Sequence, residues 1–266
     1  MKVIDFDGLF DEYVSEFLSK IAGKYSAEEV EDIQPKLFEK FSNLKIKNIG
    51  GLTPREYYNS QKDRLIEILK EHVKRDIPVN GFLQNAIVEH VSAEVLIDNL
   101  NENFDEIYIA EIVNLLYLKN CKSHFNRLID LLFNKKLGDE LKNLILDILC
   151  ENANLIASEI SSRTIEEDFL LYAGEILSCV TEQTNQVVSK FEEIFLADKK
   201  HVFEFCSFII KFNNDKLLPA LYQVIEKDVS YAEFKELKIA IEWLGGNYEK
   251  ERDFSFDKTY KLLKGE

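Results

Sequence analysis

The sequence predicts an all-α fold in which antiparallel helix pairs stack as an α-solenoid, preceded by an N-terminal helical region. Three observations carry this. Apolar residues recur at helical spacing along nearly the whole chain. Only 10 glycines and 4 prolines interrupt its 266 residues, too few for the many turns of a β-sandwich or barrel. Polar breaks recur near Asn120, Asn152, Thr184, Asn214 and Gly246, at separations of 32, 32, 30 and 32 residues. A single helix pair cannot bury its own apolar face, so a period in the low thirties with two helices per unit marks a stacked repeat.

The elements follow in order. Phe6, Leu9, Phe10, Tyr13, Val14, Phe17, Leu18 and Ile21 keep the i, i+3, i+4, i+7 rule over four turns. A second helix starts at Ser26 and runs to about Phe41, its early acids suiting a positive helix N-terminus. Ile46 to Leu52, with Gly50-Gly51, reads as a loop or a very short extended piece. Thr53-Pro54-Arg55-Glu56 is a helix start with capping-box spacing and proline at the first helical position. The helical stretch that follows stops before Ile77-Pro78, the predicted boundary between an N-terminal helical region or cap (1–78) and a repeat region (79–266).

Within the repeats, strongly apolar first helices are predicted at 105–119, 139–151, 167–182, 200–213 and 231–244. Amphipathic second helices are predicted at 123–134, 154–162, 185–197 and 215–227. The segment Val202 to Phe212 is apolar around most of its circumference, as befits a helix sandwiched between neighbours.

Residues 105–246, with runs such as Leu144-Ile145-Leu146-Asp147-Ile148-Leu149-Cys150 and Phe205-Cys206-Ser207-Phe208-Ile209-Ile210, resemble irregular HEAT or armadillo-type α-solenoid repeats. The inter-helix proline and the Asp and Arg ladder of regular HEAT arrays are missing, as is the Trp, Gly and Tyr pattern of tetratricopeptide repeats. The resemblance implies a shape and transfers no active-site residue.

Charge narrows the partners. The chain carries 48 acidic against 33 basic side chains, a formal charge of −15. Residues 79–120 and 166–199 each stand at −6, and only 41–78 is positive, at +3. Such a field repels phosphate backbones, so nucleic acid is a poor partner and a basic protein or peptide a good one. No apolar run approaches the ~20 residues of a membrane span. The four cysteines fit a reducing compartment, and the expected location is the cytoplasm.

Several motifs raise chemistry and fall short of it. Val3-Ile4-Asp5-Phe6-Asp7-Gly8 resembles the first motif of haloacid-dehalogenase-type phosphatases, but Leu9 stands where that family has Thr and no alternating strands follow, so Asp5 or Asp7 reads as a helix cap. The acids Asp5, Asp7, Asp11 and Glu12 miss the EF-hand glycine, because its position is Phe10. His72, His90, His124 and His201 contain no pair spaced for a shared metal; the two Glu-His dipeptides, 18 residues apart, point adjacent side chains about 100° from one another. Cys121, Cys150, Cys179 and Cys206, separated by 29, 29 and 27 residues, form no Cys-x-x-Cys pair and read as core residues. Gly50-Gly51 and Gly245-Gly246 lack phosphate-loop spacing, and Gly245-Gly246 suits a helix end. The basic stretch Lys45, Lys47, Arg55, Lys62, Arg64, Lys70, Lys74 and Arg75 reads as a solvated face.

No catalytic, cofactor-binding or metal-ligating residue is therefore assigned. The expected function is a non-catalytic protein–protein interaction scaffold with an acidic helical-repeat surface. Two alternatives are a HEAT-like repair enzyme of the DNA glycosylase type and an acidic inhibitor or immunity protein for a basic partner.

Overall fold

A computed structural model describes residues 3–20, 27–100, 105–120 and 124–264. Among them are sixteen α-helices and no strand; one isolated antiparallel bridge joins Ile46 to Leu52. Contacts divide the chain into two compact units, Met1–His124 with Lys136–Leu141, and Phe125–Lys135 with Lys142–Glu266.

The first unit contains α1 (Phe6–Lys20), α2 (Ala27–Ser42), α3 (Pro54–Asn59), α4 (Leu65–Lys74), α5 (Gly81–His90), α6 (Ala93–Asp98) and α7 (Glu106–Leu118). Asp5 caps α1, its carboxylate accepting the Gly8 amide at 2.8 Å. Phe6 is the one fully buried side chain of the α1 stripe, and it meets Tyr57, Tyr58 and Phe82 edge-on. The Gly50-Gly51 segment is a 3₁₀ turn at Lys47–Ile49 with both glycines at positive φ, closed by the Ile46–Leu52 bridge. The Thr53 capping box forms in full: the hydroxyl accepts the Glu56 amide and the Glu56 carboxylate accepts the Thr53 amide. Residues Ile77-Pro78 lie in the turn between α4 and α5, which pack on one another. Helix α7 is deeply buried, with Ile109, Ile112, Val113, Leu115 and Leu116 all inaccessible to solvent.

The second unit contains α8 (Phe125–Leu132), most of α9 (Asp139–Glu151), then α10 (Ala153–Ser162), α11 (Leu170–Ser178), α12 (Asn185–Ala197), α13 (Val202–Phe212), α14 (Leu218–Ile225), α15 (Tyr231–Trp243) and α16 (Lys258–Lys264). Packing runs between alternate helices. α13 lies against both α11 and α15; α12 lies against both α10 and α14; α11–α12 and α14–α15 join the two sets. The sandwiched position expected of Val202–Phe212 is thus seen. Val202, Phe205, Cys206, Ile209 and Phe212 are buried, while Phe203 stays half-exposed. Each such aliphatic or aromatic side chain removed from water contributes about 1.5–3 kcal/mol.

The helix stops explain the sequence breaks. Asn120 and Asn213 sit in the left-handed region just after α7 and α13, and Gly245 does so after α15. The amides of Gly245 and Gly246 donate to the carbonyls of Glu242 and Ile241, the paired bonds of a Schellman end. The predicted helix 167–182 differs: residues 167–169 form a 3₁₀ turn and α11 ends at Ser178. There the Asn154 side chain accepts the amides of Thr181 and Glu182, which draws them out of the helix.

Polar contacts repeat at about one helix pair in sequence. In the first unit His90 meets Asn59 (31 residues away), Lys119 donates to the Val88 carbonyl (31), and the Gly138 amide donates to Glu106 (32). In the second unit Arg163 meets Asp130 (33), Asn214 donates to Gln183 (31), Lys216 donates to Asn185 (31), and Gln183 donates to the Phe212 carbonyl (29).

Gly174 shows how closely alternate helices approach: a Cβ there would stand 2.5 Å from Phe205 Cε1. Gly174→Ala is expected to destabilise the protein by about 1–3 kcal/mol, despite alanine's better helix propensity. Phe205→Leu in the same chain should recover part of that loss. Urea unfolding of both single variants and the double variant checks the coupling; strictly additive effects would contradict this contact.

Candidate functional site

The residues singled out by sequence fall at scattered places. Asp5 is a cap, and Asp7 has its carboxyl pKa raised by partial burial and by the nearby Asp5 and Asp11 carboxylates. His72 is fully buried, with Nδ1 3.0 Å from the Pro78 carbonyl oxygen, beside Tyr58 and Asn80. His90 contacts Asn59, His124 is buried, and His201 stands 2.9 Å from the buried carboxylate of Asp198. Among the described residues no group of three or more His, Cys, Asp or Glu side chains is placed to hold a metal. No helix described is long and apolar enough to cross a membrane.

Three of the eight cations in the basic stretch pair with nearby glutamates. Arg55 pairs with Glu89 at 3.3 Å, Arg64 with Glu67 at 3.2 Å and Arg75 with Glu71 at 2.7 Å. Arg55 and Glu89 line a polar groove of about 600 Å³ in the first unit, together with Asn43, Asn59, Phe82 and Asn85. The acidic segment 166–199 is answered too. Lys135 lies 3.0 Å from Glu166 and 2.7 Å from Asp168; Lys200 lies 3.2 Å from Glu167; Lys190 lies 2.8 Å from Glu193.

Exposed apolar surface marks a different place. On α15, Ile239 and Trp243 are one turn apart and 45% and 62% exposed. Trp243 is the chain's only tryptophan. Ile239, with Tyr231, Phe234 and Tyr260, also lines a groove of about 470 Å³ whose rim carries Lys235, Lys238, Lys250, Arg252, Glu242 and Glu251. Lys238 and Arg252 sit over the Phe234 ring, at 5.9 and 5.5 Å from its centroid. A large aromatic left in water is the usual chemistry of a contact anchor.

The cysteines require a correction. Cys121 lies outside the described residues. Cys206 is buried, as expected of a core thiol, and its pKa is pushed up to about 12 by burial and by Glu236 and Glu233. Cys150 and Cys179 are only half-buried, and each shifts the other's pKa, Cys150 upward and Cys179 downward. Lys211 Nζ stands 3.0 Å from Cys179 Sγ. The basic neighbour absent around Cys179 in sequence comes from 32 residues away. Lys211, which interrupts the apolar run of α13, was the available signal, because its separation of 32 residues from Cys179 matches the spacing of the polar breaks in the sequence.

Comparison of the chain with family models, with curated proteins and with solved structures gives no match.

The His72 site carries a pH prediction. Asn80 donates to the Tyr58 hydroxyl at 3.1 Å and accepts the Leu83 amide, so this cluster ties α3, α4 and α5 together. Burial lowers the His72 pKa below its ordinary 6.5, opposed by the Pro78 and Ile77 backbone and by Asp5 and Asp7. Protons therefore bind the unfolded chain first. Stability from this group is complete above pH 6.5 and is lost as the pH falls below it. Against wild type, His72→Gln should show a smaller loss of stability between pH 7.5 and 5.5 in chemical unfolding. An unchanged pH slope would contradict the assignment.

Proposed function

We propose that the chain is a non-catalytic helical-repeat scaffold that binds another protein, with α15 as its contact face. The exposed Ile239–Trp243 strip carries this reading. In the interior of a stack such side chains would be covered; on its surface they cost solvation unless a partner covers them. The alternation of packing through α10 to α15, and polar contacts about one period apart, support an irregular HEAT-like solenoid in the second unit. A solenoid supplies a rigid, extended surface that needs no cofactor to bind.

The partner favoured is basic. The net charge of −15 attracts a cationic protein over a distance of about a Debye length, ~8 Å at physiological salt, and speeds encounter. The groove on α15 is lined by Lys235, Lys238, Lys250 and Arg252 against Glu242 and Glu251, so local contact there rests on apolar burial and not on charge. The same reading places the protein in the cytoplasm, where its thiols stay reduced. A DNA-glycosylase-like role fares less well, since Arg55, Arg64 and Arg75 are already paired with glutamates.

Capture from native lysate on tagged wild type and on Trp243→Ala tests the proposal. A basic protein retained by wild type, released by raised salt, and lost about tenfold or more with Trp243→Ala is expected, an anchor loss worth ≥ ~1.4 kcal/mol. Both chains should give the same far-ultraviolet circular dichroism. Equal capture by the two would remove α15 from the contact face.

A further inference from the structure

Outside the proposed binding face, three helices bring one reactive group together. Cys150 lies at the end of α9, Cys179 directly follows α11, and Lys211 lies near the end of α13. Cys179 Sγ accepts a hydrogen bond from Lys211 Nζ at 3.0 Å and lies 3.9 Å from Ser178 Oγ and 3.4 Å from the Glu175 carbonyl oxygen. Cys150 is the second thiol acting on Cys179, as the largest influence on its pKa. Both cysteines are half-buried.

We infer that Cys179 is a modification site for a hydroperoxide, with Lys211 holding it as the nucleophilic thiolate and Cys150 standing as the resolving thiol that closes a Cys150–Cys179 disulfide.

Each part has a physical cause. A thiolate is the nucleophile, and an adjacent ammonium and a donated thiol hydrogen bond stabilise it. Cys179 is held down to about 5, first by the hydrogen bond from Cys150 and then, against its own partial burial, by the bond and charge of Lys211. Cys150 is pushed up by donating to Cys179, by burial, and by the Cys179 and Glu175 charges, so it keeps its proton. One sulfur is ready to attack while the other waits as a thiol. Lys211 is raised by the same contact. The remaining charged group facing the sulfur is Glu175, whose carboxyl is raised by burial and by Cys179; Asp147 acts on it from α9.

The chemistry balances in two steps. The Cys179 thiolate attacks the terminal oxygen of the hydroperoxide, breaks its O–O bond and forms Cys179 sulfenic acid; the alkoxide or hydroxide that leaves takes a proton from water. The Cys150 thiol then displaces hydroxide from that sulfur, and the disulfide and one water result. The hydroperoxide is reduced by two electrons and the two thiols supply them. The product ties α9 to α11 covalently, between helices one repeat apart.

The test uses the full chain with Cys121→Ser, reduced and then exposed to hydrogen peroxide at pH 7, followed by non-reducing peptide mapping. A linked Cys150–Cys179 peptide, short of two hydrogens, is expected, with Cys206 unmodified. Cys150→Ser should stop at a sulfenic acid on Cys179 that dimedone traps. Without any further mutation, the iodoacetamide rate at Cys179 should titrate with a midpoint well below the free-thiol value of ~8.5. Lys211→Met should slow alkylation at pH 6 by roughly tenfold, the effect of about one pKa unit. The inference is overturned if the linked peptide does not form, if Cys206 reacts as fast as Cys179, or if the midpoint lies near that of a free cysteine.

Discussion

The second unit depends on contacts between alternate helices from α10 to α15, α10 with α12, α11 with α13, α12 with α14 and α13 with α15. Apolar burial supplies the energy, since α13 has its buried stripe enclosed by α11 and α15. Burial alone is indifferent to small slips along the helix axis. Register is fixed by directional bonds: Asn214 to Gln183, Lys216 to Asn185 and Arg163 to Asp130 each pin one element to its counterpart about one period earlier. Gly174 sets the approach distance, because only a residue without Cβ leaves room for the Phe205 ring.

That register also decides the chemistry. Residues 29 and 32 apart along the chain become neighbours in space, which is how Cys150, Cys179 and Lys211 meet. None of the three has a reactive local setting in sequence. Lys211 is exposed on α13, and its ammonium reaches across to the Cys179 sulfur. Charge is handled the same way. Lys135 and Lys200 lie against the acids that precede α11, so part of the apparent acidity of 166–199 is spent within the fold.

Much of the helix order was legible in the sequence because it rests on local rules. Thr53 and Glu56 form their capping box, Asp5 caps α1, and the Gly245-Gly246 pair ends α15 in a left-handed turn. Periodicity placed Asp139–Glu151 and Asn185–Ala197 to the residue. What was not legible depends on pairs distant in sequence. The early end of α11 follows from the reach of Asn154 to Thr181 and Glu182. The half-buried state of Cys150 and Cys179 follows from their place at helix ends, whereas their apolar neighbours in sequence suggested full burial. Exposure of Trp243 was equally hidden, since an apolar residue beside a helix end reads as core until its neighbours are known.

Zero-length carbodiimide coupling tests the one-period packing most directly, because it joins only amines and carboxylates already in contact. Peptide mapping of lightly coupled protein should recover Lys135 joined to Glu166 or Asp168, and Lys200 joined to Glu167. Inter-helix links scattered over other separations, with none of these pairs among them, would contradict the account.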